Sequence, residues 1–348
     1  MKIAILTPTF NYYSGIDRVV EQQAKDYAEK GYRVTVIALE SDIKPEKYEV
    51  TTLGMPKNST LQRLYRLFFF IDIKKLGYYK KLKNYDIIIS HFYPMNWLAY
   101  LAKKHYKIRY IYFNHGINTT GLLNNIWQKF YMKLFSFFTN ITLRNVDEAY
   151  SVSKYLKNDF KKVSNLDSKV VYNKIDTKRF NKKVKGDKII EKYNLKNKKV
   201  LLYMGRIAPH KGIHLLLKSF NIVEKQIPNA KLLIVGKPTF NNYFKSLKRI
   251  ADKDVIFTGF VPDNDLPYYY AACDVYVTAS LWEGFNLPAA EAQACGKPVV
   301  AFNIGSHPEV VKNGALVEKN DVKKFAEEVV KILRNKKDKI HIITFFLI

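Results

Sequence analysis

Apolar residues come along this chain in short runs, separated by longer amphipathic stretches. Residues 2–6 are an apolar run closed by Thr7-Pro8, the pattern of a strand buried in a parallel sheet. A turn-like stretch at 11–15 leads into helical periodicity over 16–29, with Gly31 placed as a C-terminal cap. Residues 33–39 are again strand-like, which completes a βαβ unit with a short Gly-containing first loop. The pattern recurs with strands over 86–90 and 109–113, a helix over 97–105 between them, and a further strand over 148–151. From residue 200 the alternation restarts. Strands are expected over 200–204, 231–235, 255–258, 275–278 and 298–301, and helices over 213–226, 244–251, 265–272, 287–295 and 322–333. Such alternation in both halves predicts an α/β protein of two Rossmann-like, doubly wound parallel-sheet domains.

Between the halves, residues 176–199 are polar, Lys-rich and weakly periodic, and read as a linker. The expected organisation is an N-terminal domain over 1–175, that linker, a C-terminal domain over 200–333 and a tail over 334–348. Ligands of doubly wound sheets bind at the carboxyl ends of the strands. The active site is therefore expected in a cleft between two facing domains, built from the loops that follow strands.

The formal net charge of +27 leaves the fold reading unchanged but narrows the partners to nucleic acid, an anionic membrane surface or phosphorylated small ligands. Compositional bias toward Lys, Ile, Asn and Tyr explains the charge equally well. Basic residues are densest over 74–83 and 182–199. Cys273 and Cys295 are the only cysteines, which excludes a disulfide framework or a zinc-ligand spacing and predicts buried free thiols. With no signal-like start and no apolar stretch of membrane-spanning length, the expected location is cytoplasmic, as a soluble or peripheral protein.

Three constellations could carry chemistry. Gly205-Arg206-Ile207-Ala208-Pro209-His210-Lys211-Gly212 lies between a strand and a helix. Its glycines permit tight turns, and Lys211 and Gly212 stand at the helix start, where free N–H groups favour an anion. Arg206 adds a fork that suits phosphate. A solvated basic loop would read the same way. The second stretch runs from Glu283 through Gly284, Phe285, Asn286, Leu287 and Pro288 to Glu291. Pro288 fits the first turn of a helix, which puts Glu283 in the loop ahead of it and Glu291 about one turn inside. Glu291 falls among alanines, so its carboxylate needs a partner. The third set is N-terminal: Ser14-Gly15-Ile16-Asp17 after the first strand, Asn114-His115-Gly116 after the strand over 109–113, and His91 after the strand over 86–90. His115 could donate to a sugar or phosphate oxygen or move a proton; a structural loop histidine is the plainer alternative.

These segments resemble the retaining glycosyltransferases of family 4, which have the GT-B fold. GRIAPHKGIHLLLKSF is similar to the family's GR-x4-KG stretch, and ASLWEGFNLPAAEAQACGKPVVA to its E-x7-E block. KLLIVG, VIFTGFVPDNDLPYYYAACDVYV, SVSKYLKNDF and VVYNKIDTKRF resemble the intervening and preceding segments, so the likeness covers most of the chain. The resemblance implies transfer of a sugar from a nucleotide-diphosphate sugar to a glycan or lipid-linked acceptor, with retention of configuration, in cell-envelope glycan synthesis. It implies that Arg206 and Lys211 hold the diphosphate, that Glu291 binds the ribose, and that Glu283 with the backbone of Gly284, Phe285, Asn286 and Leu287 holds the donor sugar. Gly205 and Gly15 let loops approach the phosphates, and His115 lies near the sugar. Catalytic roles fall to Glu283, His115, Arg206 and Lys211. No bound metal or other cofactor is implied, because Arg, Lys and the helix dipole supply the positive charge.

The sequence departs from the family at Ser14, where a glycine is usual, at Asn173-Lys174 in place of Asn-Gly, and at the tail. There a crossover helix is replaced by a basic stretch and the apolar residues 340–348. Residues 61–83 and 122–144 mix aromatics with Lys and Arg, which suits either an anionic bilayer surface or packing on the domain core. A GT-B sugar-nucleotide epimerase, an inactive scaffold and a nucleic-acid-binding protein are the competing readings; the last lacks a stacking or groove-reading motif.

Overall fold

The computed structural model describes residues 1–11, 15–116 and 126–335, in two compact units, Met1–Asn173 and Lys174–Ile348. Ser14 and the apolar tail fall outside the described residues.

The N-terminal unit holds β1 (Lys2–Phe10), β2 (Arg33–Ser41), β3 (Glu49–Thr52), β4 (Ile87–Ser90), β5 (Arg109–Asn114), β6 (Glu148–Ser151) and β7 (Lys169–Val170). They form one parallel sheet in the order β3-β2-β1-β4-β5-β6-β7. Side chains of a strand alternate between faces, and β1 shows why its run is apolar throughout. Ala4 and Leu6 enter one core with Ile37, Ile88 and Tyr110, whereas Ile3 and Ile5 enter the other with Val34, Ile89 and Phe113.

The C-terminal unit holds β8 (Lys199–Met204), β9 (Ala230–Val235), β10 (Val255–Gly259), β11 (Val275–Thr278), β12 (Val299–Phe302) and β13 (Gly314–Val317), parallel and in the order β10-β9-β8-β11-β12-β13. Helices Ile213–Gln226 and Val322–Arg334 share a core, in which Leu216, Phe220 and Val223 lie with Phe325, Val329 and Leu333. In both sheets the chain first runs outward on one side and then restarts on the other. That leaves a topological switch point between β1 and β4 and another between β8 and β11.

The segment expected as a linker belongs instead to the C-terminal unit. Helix Asp187–Lys192 lies against helix Leu266–Ala272: a Cβ on Gly186 would meet the Ala272 backbone nitrogen at 2.5 Å. Three apolar residues of the segment are buried, Phe180, Ile189 and Leu195, and the surrounding lysines mask them in the sequence. The polar or short strands β3, β7 and β13 and helix Lys154–Ser164 also escape the sequence pattern. That helix is capped by Ser153, whose side chain accepts the Leu156 N–H, and it buries Leu156 and Phe160. Neither Asn173 nor Lys174 adopts a left-handed backbone, so the turn there differs from an Asn-Gly turn without strain. Both cysteines are buried and unpaired. Among the described residues, no helix is long and apolar enough to cross a membrane.

Candidate functional site

In the C-terminal unit the two motif loops leave adjacent strands at the switch point. Gly205–Gly212 follows β8, and the segment from Ala279 to Asn286 follows β11. Gly212 has φ +64°, and a Cβ there would lie 1.9 Å from the Ala279 carbonyl oxygen, so only glycine permits this approach. The Leu281 N–H donates to the His210 carbonyl at 2.8 Å and ties the loops again. Gly205 is close-packed in the same way: a Cβ on Gly236, after β9, would meet its carbonyl oxygen at 2.0 Å.

Across this seam Lys211 Nζ donates to Glu283 Oε1 at 2.7 Å, and Ser280 Oγ donates to the same oxygen at 2.8 Å. Burial alone would raise the Glu283 carboxyl. Lys211, His307 and the two hydrogen bonds outweigh it and hold the group below its ordinary value. Glu283 is thus a buried anion with its charge already matched. Its carbonyl accepts the Ser306 N–H at 3.2 Å, and Gly305 approaches so closely that a Cβ would lie 2.4 Å from that carbonyl.

Asn286 begins helix Leu287–Ala294 with a left-handed backbone, φ +72°, and its side-chain oxygen accepts the Ala289 N–H at 3.2 Å. Its amide lies 2.8 Å from His307 Nε2, while His307 Nδ1 lies 2.6 Å from the Phe302 carbonyl. A carbonyl only accepts, so Nδ1 carries the proton and Nε2 accepts from Asn286. Burial lowers the His307 pKa, and the nearby Glu283 charge works against that shift. Gly284, Phe285 and Leu287 are buried around this turn. The first amides of a helix lack intrahelical acceptors, which makes the turn suited to an anion.

Glu291 is buried, and the partner its carboxylate needs includes Tyr270, whose hydroxyl donates to Oε2 at 2.7 Å. Arg206 is exposed and takes no ion pair among the described residues; only its carbonyl is engaged, by the Tyr203 hydroxyl at 3.1 Å. His210 is pushed down to about 4 by burial and by Lys211 and Arg206.

In the N-terminal unit Gly15 opens helix Gly15–Glu29, which follows β1. His91 follows β4 and His115 follows β5. His91 Nδ1 and His115 Nε2 are 2.9 Å apart, and His91 Nε2 is 2.9 Å from Gln23 Oε1 on that helix. Burial holds His115 at about 4, and burial, then the neighbouring His115, hold His91 well below its ordinary value, so both are neutral near pH 7.

Sequence reasoning singled out Arg206, Lys211, Glu283, Glu291 and His115 but missed Ser280, Tyr270, Gln23 and His307. Ser280 was within reach, three residues before Glu283 in a strand-end loop. The others come from distant segments and leave no local signal. Carboxylates of Glu224, Asp252 and Asp254 lie within 4.8 Å of one another, a set that could hold a metal. Lys231 already pairs with Asp254, and Asp263 and Asp265 pair with Arg179 and Lys188.

Residues 186–344 match the family described as Glycosyl transferases group 1, and residues 13–179 match Glycosyltransferase Family 4. A 41.2 kDa protein of the cps region of Klebsiella pneumoniae is 30% identical over 311 residues, 84% of this chain and 80% of the relative. The O-antigen chain mannosyltransferase B of Escherichia coli is 34% identical over 152 residues, 42% of this chain and 40% of the relative. The chain thus spans less than half the length of the relatives it matches at 34% identity. Among solved structures, Anabaena Alr3699/HepE in complex with UDP and glucose superposes with a TM-score of 0.78 at 21% identity, covering 96% of this chain and 90% of that one.

Proposed function

The chain belongs to the glycosyltransferases of the GT-B fold, and from that premise we propose that it moves a sugar from a nucleotide-diphosphate sugar to a glycan or lipid-linked acceptor, with retention of anomeric configuration and without a bound metal. The observation that carries this reading is the meeting of two loops at the switch point between β8 and β11. Lys211 pairs there with the buried Glu283 carboxylate, and Arg206, exposed and in no ion pair among the described residues, lies on the same loop as Lys211. A departing diphosphate gains negative charge as its bond to the sugar breaks, and fixed cations stabilise that charge most where water is scarce. Arg206 and Lys211 are assigned this task, with Gly205 leaving room for the phosphates. The turn of Gly284, Phe285, Asn286 and Leu287 receives the sugar, and Glu291 the ribose.

Glu283 is unsuited to act as a covalent nucleophile. Its charge is matched by Lys211 and one oxygen takes two hydrogen bonds. Its role is to accept sugar hydroxyls and hold Lys211. The sugar's anomeric carbon loses its bond to the phosphate oxygen and gains one to the acceptor oxygen on the same face, and the acceptor proton passes to the departing phosphate. The likeness to a structure that binds UDP and glucose supports a nucleotide-sugar donor. Release of nucleotide diphosphate from a sugar nucleotide only when an acceptor is added, with an α-linked product from an α-linked donor, is the expected result. Epimerisation of the sugar nucleotide without acceptor would refute transfer.

The acceptor is reached at the inner face of the cell membrane. Helix Ile126–Leu143 leaves Trp127, Phe130 and Phe137 exposed, and Leu61, Leu64 and Ile71 are exposed nearby in sequence to Arg63, Lys74 and Lys75. Tyr131 donates to the Arg63 carbonyl and Phe138 packs on Phe68 and Phe70, so the two stretches form one surface. Asp72 is the only acidic residue in 57–85 and 126–144, and Tyr65 and Lys75 engage it. Exposed aromatics among cations suit an anionic bilayer.

A further inference from the structure

His91 is wholly buried, yet the reaction as described leaves it without a task. It lies between two partners drawn from different elements, Gln23 on helix Gly15–Glu29 and His115 after β5, each at 2.9 Å. The His91 and His115 rings are 5.2 Å apart by centroid and within 22° of parallel, and Phe113 covers His91 at 5.1 Å and 17°. His91 and His115 directly follow β4 and β5, and Gln23 comes from the helix after β1, so the group lies beside the switch point of the N-terminal sheet.

The order of donors in this chain of hydrogen bonds is fixed from one end. The Gln23 side-chain oxygen only accepts, so His91 Nε2 carries a proton and donates to it. A neutral imidazole holds one proton, so His91 Nδ1 is a bare lone pair and accepts from His115 Nε2–H. His115 is neutral too, which leaves its Nδ1 bare. His115 Nδ1 has no hydrogen-bond partner among the described residues.

We propose that Gln23 and His91 are positioning residues that lock His115 in its Nε2–H tautomer, so that its Nδ1 accepts a hydrogen bond from a hydroxyl of the bound sugar. The inference rests on the assignment of His115 to the donor sugar, and it narrows that assignment. A phosphate oxygen offers no proton to a bare nitrogen, so His115 reads the sugar and not the diphosphate. The tautomer of a functional histidine is set by the hydrogen bond its other nitrogen makes. Here that bond is made by a second histidine, whose own tautomer is set by an amide one step further out.

The test combines imidazole nitrogen NMR on protein labelled with ¹⁵N-histidine and calorimetric titration with UDP, UDP-glucose, GDP and GDP-mannose. Near neutral pH, His115 is expected protonated at Nε2 and bare at Nδ1. Q23L and H91F are expected to lose that preference, whereas Q23E, which keeps an acceptor facing His91, retains it. In Q23L and H91F the affinity advantage of the recognised sugar nucleotide over its free nucleotide is expected to fall by about tenfold, the worth of one net hydrogen bond. Binding of the free nucleotide stays as it was. A wild-type His115 protonated at Nδ1 would overturn the inference, as would an unchanged affinity ratio in both variants. Should none of the four compounds bind, the donor assignment falls, and the tautomer of His115 still decides the relay.

Discussion

Lys211 and Glu283 stand 72 residues apart in the chain and meet at 2.7 Å, joining the loop after β8 to the loop after β11. The pair closes the switch point of the C-terminal sheet before any ligand arrives. Such a pair costs desolvation on both sides, and its loss is felt chiefly through the partner left behind.

Replacing Lys211 by Met therefore leaves the Glu283 carboxylate buried and uncompensated, and unfolding in urea is expected to show a loss of roughly 3 kcal/mol. Adding Glu283→Gln to the same protein removes the stranded charge and restores most of that loss. Additive penalties in the double variant would show that the two groups do not act as a pair.

Tyr270 plays the matching part for Glu291. Tyr270→Phe removes the hydroxyl that donates to a buried carboxylate at 2.7 Å, and a stability loss of about 1–3 kcal/mol is expected from chemical denaturation. A loss below about 0.5 kcal/mol, ordinary for a surface change, would place the Glu291 charge in the care of another group.

How much of this was legible in the sequence follows from where each group lies. The apolar run over 2–6 announces a strand because its side chains enter two cores, and in β8, β9 and β11 the successive side chains of both faces are likewise buried. Arg206, Lys211, Glu283 and Glu291 could be named because helix-start and strand-end signals frame them locally. Their partners could not. Tyr270 reaches Glu291 from a separate helix, His307 reaches Asn286 across 21 residues, and Gln23 reaches His91 across 68. Those meetings are set by strand order, which periodicity does not encode. The lysines of 176–199 concealed a packed helix because three scattered buried side chains, Phe180, Ile189 and Leu195, are too few to make a period.

Histidines shielded from water make stability depend on pH. An unfolded histidine titrates near 6.5, whereas His115 and His210 are held at about 4 in the fold and His91 well below its ordinary value. Below pH 6.5 the unfolded chain binds more protons than the folded one, so stability is complete above that pH and is lost as pH falls from 6.5 toward about 4. The depressed Glu283 carboxyl adds to the loss only below its unfolded value of 4.5. Thermal midpoints are expected to be level from pH 8 to about 6.5 and to decline between about 6.5 and 5, less steeply in His91→Gln. An identical decline in that variant would remove His91 from the account.

At the exposed face of helix Ile126–Leu143, the double change Trp127→Ser and Phe130→Ser removes two exposed rings. Flotation with phosphatidylglycerol vesicles is expected to recover the parent protein and little of this variant, with neutral vesicles recovering neither. Equal recovery of parent and variant, or no charge dependence, would contradict a membrane role for this surface.

The central claim is that the loops after β8 and β11 form a diphosphate-sugar site with Arg206 as its free cation, and thermal shift with sugar nucleotides tests it most directly. Arg206 is exposed and makes no ion pair among the described residues, so Arg206→Ala is expected to fold with an unchanged melting temperature. The parent protein is expected to melt higher with one nucleotide diphosphate or its sugar conjugate, and the corresponding monophosphate to have little effect, since bound ligand adds RT ln(1 + [L]/Kd) to stability. Arg206→Ala should lose most of that gain. A full gain in Arg206→Ala, or no gain in the parent with any nucleotide diphosphate or sugar nucleotide, would contradict the account.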